Sequence, residues 1–152
     1  MNITRSLICS IYVKGQPKGQ PRPRAFVRGG RAAVFDPGTS EGWKGQIALA
    51  FREFENRKVH APMSLLLTFH MPRPAGHLKK NGEIKPAHAS SLFTGKPDAD
   101  NLAKAVMDAL TSLGVWTDDS LVVTLIARKR YESKLRPPGC EIEIHELSED
   151  PE

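Results

Sequence analysis

The chain has 152 residues, 39% of them hydrophobic and 26% charged, which is the composition of one globular domain and excludes a disordered or fibrous protein. Its longest apolar stretches, 64–69 and 121–127, fall far short of the roughly 20 residues a spanning helix needs, which excludes a helical membrane protein. The formal charge of +5 is unevenly spread: residues 1–60 carry 11 Lys/Arg against 4 Asp/Glu, residues 61–96 carry 5 against 1, and residues 97–152 carry 6 against 12.

That asymmetry points to a polyanion-binding surface built from the first two segments, with acidic groups held near it for another purpose. The first residues, MNITRSLICSIYVKG, are interrupted by polar side chains where a signal peptide would be apolar, so the expected location is the cytoplasm. Cys9 and Cys140 stand at opposite ends of the chain and read as two buried thiols rather than a disulfide framework or a zinc motif. The histidines at 60, 70, 77, 88 and 145 show no metal-ligand spacing and read as surface or loop residues.

Residues 6–13, SLICSIYV, are short, apolar and partly alternating, and predict a first strand. Residues 14–38 are broken by proline and glycine and carry Lys14, Lys18, Arg22, Arg24, Arg28 and Arg31; they predict a basic mobile arm or extended hairpin. Thr39 or Ser40 can cap a helix whose stripe Trp43, Ile47, Ala50/Phe51 and Phe54 faces the core. Residues 63–71 predict a well-buried second strand. Residues 72–97 form a long basic connection with no sustained periodicity, and include Lys79, Lys80 and Lys96.

Residues 98–113 place Leu102, Ala105/Val106, Ala109/Leu110 and Leu113 on one side of a helix that Gly114 stops. After a turn, residues 121–131 and 140–146 predict two strands joined at the proline and glycine of 137–139, hence an antiparallel pair, with a frayed acidic tail over 147–152. The order β-α-β-α-β-β gives an α/β (α+β) fold: a single domain, 1–152, with a mixed four-stranded sheet and two helices packed on one face.

The chemistry concentrates at two element boundaries, Asp98 with Asp100 at the start of the second helix and Asp118 with Asp119 just before the third strand. If that strand lies beside the helix start, Asp98, Asp100 and Asp119 can converge. Carboxylates held together need a cation between them, and hard oxygen ligands suit Mg²⁺, for which Mn²⁺ can substitute. Aspartate is also a good N-cap, so one carboxylate at a helix start needs no metal to explain it. Lys104, four residues beyond Asp100 and four before Asp108, is either one rung of an ion-pair ladder or a group that stabilises charge at a reacting phosphorus. D-A-D-N-L-A lacks the glycine and the oxygen ligand of a calcium loop. Trp43 and Trp116 read as core, and Phe26 and Phe35 as residues that either wedge into an unstacked crossover or anchor the arm to the domain.

The run K-P-D-A-D-N-L-x-K-A-V-x-D-A-L from Lys96 to Leu110, followed by G-V-W-x-D-D from Gly114 to Asp119, resembles the signature of the RusA Holliday junction resolvases. The run K-G-x-P-x-x-x-P-R-P-R over 14–24 is similar to the phage-type branch of that family. The resemblance implies a homodimeric, magnesium-dependent endonuclease that cuts four-way DNA junctions in recombination and repair. It implies Asp98, Asp100 and Asp119 as metal ligands and Lys104 as the catalytic lysine. Lys14, Lys18, Arg22, Arg24, Arg28, Arg31, Lys79, Lys80 and Lys96 are the expected DNA contacts. Two other readings stay open on the residues alone: a nuclease for flaps and forks, and a non-catalytic junction-binding protein.

Overall fold

The computed structural model describes residues 2–20, 24–28, 31–35 and 40–151. β1 (Ile3–Lys14) leads into a hairpin of β2 (Arg24–Arg28) and β3 (Arg31–Phe35), then come α1 (Glu41–Ala50), β4 (Met63–Met71), α2 (Ala99–Leu113), β5 (Val122–Tyr131) and β6 (Gly139–Glu149). The expected order holds, with the hairpin inserted in the basic arm. Among the described residues no helix is long and apolar enough to cross a membrane.

The main sheet is mixed and four-stranded, in the order β1-β6-β4-β5. β4 pairs with β5 in parallel and with β6 antiparallel, and β6 pairs antiparallel with β1. The antiparallel pair expected between 121–131 and 140–146 therefore does not form, because β4 lies between the two strands. β4 is the most apolar strand, and a central place buries it. α2 supplies the long crossover that parallel neighbours require.

Alternation along the strands sorts the sheet into two faces. Met63, Leu65, Leu67, Phe69 and Met71 of β4 and Cys140, Ile142 and Ile144 of β6 are buried on one. Trp43, Ile47 and Phe51 from α1 and Leu102, Ala105, Val106 and Leu110 from α2 complete the same core. Both helices thus cover a single face, as the stripes predicted. Truncating a side chain such as Leu67 to Ala would cost about 2–5 kcal/mol.

β1 and β6 both run further than their apolar segments suggested, pairing from Ile3↔Glu149 to Lys14↔Gly139. Leu147, Ser148 and Glu149, read as the start of a frayed tail, are strand residues because β1 extends alongside them. The Asp150 N–H also donates to the Asn2 carbonyl at 3.0 Å. Both cysteines are buried and free, and burial pushes the Cys9 thiol up to about 11. His70 departs from the surface expectation: it is buried on β4, with Nε2 3.1 Å from Glu141 Oε2.

Candidate active site

The head of α2 begins at Asp98, whose extended backbone (φ −68°, ψ 153°) places it at the N-cap. Its carboxylate makes no capping hydrogen bond and stands half-exposed, 3.9 Å from Lys96 Nζ. Asp100 lies in the first turn, where the helix dipole favours a negative charge, and its Oδ1 accepts the Asn101 N–H at 2.9 Å. Lys104 follows one turn on, exposed, about 6 Å further along the axis by helix geometry.

Two neighbours shape this helix start. The Gln20 N–H donates to the Asn101 carbonyl at 3.0 Å, seating the first part of the basic arm on α2. Gly19 makes that approach possible, since a Cβ there would come within 3.2 Å of Pro97 Cβ and 3.3 Å of Asn101 Cβ. On the other side, Lys129 of β5 donates from Nζ to the Gly95 carbonyl at 2.7 Å and the Pro97 carbonyl at 3.1 Å.

The second acidic pair is delivered by the turn that ends α2. Gly114 takes a left-handed conformation (φ 77°), closing the helix. The segment before β4 then clasps the turn: Lys58 N–H donates to Gly114 O at 2.8 Å, Val59 N–H to Val115 O at 3.0 Å and Thr117 N–H to Val59 O at 3.1 Å. Trp116, buried as expected, donates from Nε1 to Thr111 Oγ1 at 2.8 Å, and that hydroxyl donates to the Met107 carbonyl at 2.8 Å. Asp118 then caps the short turn Asp119–Leu121 by accepting the Ser120 N–H at 2.9 Å.

A hydrogen bond shared with Asp118 holds the Asp119 carboxyl above its ordinary value, and the nearby charges of Asp118 and Asp108 add to the rise while Lys104 opposes it. Asp118 moves the other way, lowered first by the Ser120 N–H. Asp119 therefore lies within reach of the charges that Lys104 and Asp108 carry on α2. Lys104 closes no salt bridge with Asp100 or Asp108 among the described residues, so the ion-pair ladder is not formed.

Asp119 is thus within reach of the Lys104 charge, while Asp98 and Asp100 stand at the helix head. Among the described residues no three His, Cys, Asp or Glu side chains stand close enough to hold a metal ion. The donors nonetheless fit a hard divalent cation in kind: all are carboxylates, Asp98 forgoes its cap bond, and Asp119 is crowded by like charge.

Lys14 ends β1, exposed; Lys79 and Lys80 are exposed on the 72–97 segment, Lys79 lying 3.8 Å from Glu83. Lys96 is 90% exposed and Lys18 half-buried. Arg22 lies outside the described residues. Arg24, Arg28 and Arg31, with Phe26 and Phe35, lie on the hairpin strands, and their side chains lie outside the described residues. The long segment is ordered by Arg73, which donates to the His88 carbonyl at 2.8 Å and the Ser90 carbonyl at 3.0 Å with its guanidinium over Tyr131. Sequence reasoning missed Lys129 and Gln20. Strand alternation could have flagged Lys129, a lysine on the core-facing parity of β5 between Ala127 and Tyr131.

The chain is similar over 138 residues to YqaN of Bacillus subtilis (strain 168), a protein of uncharacterised function, at 33% identity covering 90% of this chain and 94% of that one. A 54-residue stretch is 44% identical to the crossover junction endodeoxyribonuclease rusA of Lactococcus phage r1t, covering 36% of this chain and 39% of the phage protein. The family model described as Endodeoxyribonuclease RusA matches residues 14–145, a span that takes in the arm, both aspartate pairs and Lys104, and the chain belongs to that family.

Proposed function

We propose that this protein is a homodimeric, Mg²⁺-dependent endonuclease that resolves four-way DNA junctions by paired phosphodiester cuts, acting in recombination and repair in the cytoplasm of a bacterial or phage-infected cell. The observation that carries the reading is the family match over residues 14–145, which takes in the basic arm, both aspartate pairs and Lys104. Bound Mg²⁺ would supply Lewis-acid polarisation of the phosphodiester and lower the pKa of an attacking water. Asp98, Asp100 and Asp119 would hold it. Lys104, exposed and without a salt bridge among the described residues, stabilises the charge that grows at the phosphorus. Gln20 of the basic arm bonds to the head of α2, and the arm's cations would draw in the DNA backbone.

The test compares cleavage of four-way, flap and linear duplex DNA with and without Mg²⁺. Cutting confined to four-way junctions and dependent on the metal is expected. Asp98→Asn, Asp100→Asn and Asp119→Asn should each abolish cutting while junction binding survives, and Lys104→Ala should lose turnover with near-normal metal affinity. Full activity in Asp100→Asn or Asp119→Asn would overturn the mechanism, since asparagine caps a helix as well as aspartate.

A further inference from the structure

We infer that Lys129 is a positioning residue that sets the Asp98 carboxylate for cation binding. The inference rests on the reading of Asp98 as a metal ligand. Lys129 is half-buried on β5, on the face that α2 covers. Its ammonium donates to the Gly95 and Pro97 carbonyls, the two that bracket Lys96 and lead directly into Asp98. It also lies 5.3 Å from the centre of the Phe93 ring.

Each contact has a partner that makes it specific. The Phe93 N–H donates to the Lys129 carbonyl, so ring and ammonium are registered by the backbone of β5 itself. Gly95 packs against the ring so closely that a Cβ would sit 3.2 Å from the Phe93 ring tip. Lys129 makes no salt bridge among the described residues; its charge is spent on carbonyl dipoles and a π face. A lysine placed to attract DNA would keep its head in water, as Lys96 does. This one ties a strand of the sheet to the backbone that precedes Asp98. Without it, the 95–97 segment loses its link to β5 and Asp98 its fixed place relative to Asp119.

The sign of the effect separates positioning from plain charge. Removing a cation near a metal site should tighten metal binding by Coulomb's law; removing a positioning clasp should weaken it. Mn²⁺ affinity of the DNA-free protein, measured calorimetrically beside thermal melting, is the readout. Lys129→Met is expected to weaken Mn²⁺ binding about tenfold, and to add nothing in an Asp98→Asn background. Unchanged or tighter binding, or a loss fully additive with Asp98→Asn, overturns the inference. If Lys129→Met melts below the assay temperature, Lys129→Arg keeps the charge but not the compact head, and about threefold weaker binding is expected; no weakening overturns the inference. Asp98→Asn binding Mn²⁺ like wild type would overturn the ligand reading and the inference with it. A weakened Asp98→Asn beside a normal Lys129→Met would overturn the inference alone.

Discussion

Asp118 and Asp119 are adjacent and exposed, yet their carboxyls shift in opposite directions: the Ser120 N–H is the main cause that lowers Asp118, while the hydrogen bond shared with Asp118 raises Asp119. If Asp119 must be ionised to hold a cation, its raised pKa delays that state as pH rises, so activity should fall off on the acid side earlier than for an ordinary aspartate. Asp118→Asn removes both the shared bond as a carboxylate pair and the nearby charge. The acid limb of the pH–rate profile should then move to lower pH, and a limb that stays in place would show that Asp119 does not govern it. Lys104 works in the same direction as that substitution, so Lys104→Met should move the limb of any residual activity upward.

At the level of elements, the basic arm and α2 act together, since the arm's first described residues are bonded to the helix that carries the acids. Changing Arg22, Arg24, Arg28 and Arg31 to Ala should weaken junction binding and flatten its salt dependence, by up to about 0.9 log unit per log salt for each phosphate that an arginine no longer neutralises. Binding titrations across a salt series measure this, and an unchanged slope would mean that these arginines do not face DNA. The helices and β4 were legible because their apolar residues recur at the right period: Leu102 to Leu110 line one stripe, and Met63–Met71 is apolar nearly throughout. The ends of β1 and β6 were not legible, because Ile3–Leu7 and Leu147–Glu149 are mostly exposed and carry no burial pattern. The strand order was hidden too: a tight turn between 131 and 139 suggests a hairpin, and only the need to bury β4 on both edges argues otherwise. At the candidate site the residue types were readable from D-A-D-N and D-D, whereas where the turn sets Asp119 relative to α2 depends on how Val59 and Trp116 hold it.

Among the described residues, the sheet face opposite the helices carries an exposed apolar patch on its β1 edge, Ile3 at 62% and Leu7 at 60%, and Ile126 at 43% on its far, β5 edge. A patch of that kind is what subunits of a small protein use to associate, and a four-way junction with approximate two-fold symmetry calls for two matched sites. Light scattering on the purified protein should give twice 16.8 kDa, and a monomer at concentrations where junctions are cut would count against paired cleavage by one dimer.

The strand order also governs when the domain can exist at all during synthesis. β6, last to leave the ribosome, lies between β1, the first, and β4. Until it emerges, β1 has no partner in the main sheet, while β4 and β5 can pair with each other. The nascent chain therefore carries its first strand unpaired through nearly the whole of translation, exposed to chaperones and to other strands. A chain broken off before β6 would hold both aspartate pairs and the basic arm, but not the strand that joins β1, and the arm attached to it, to the rest of the sheet. Such a fragment lacks the scaffold to aim its acids at DNA, so an abortive product of this nuclease is disarmed by the order of its own strands.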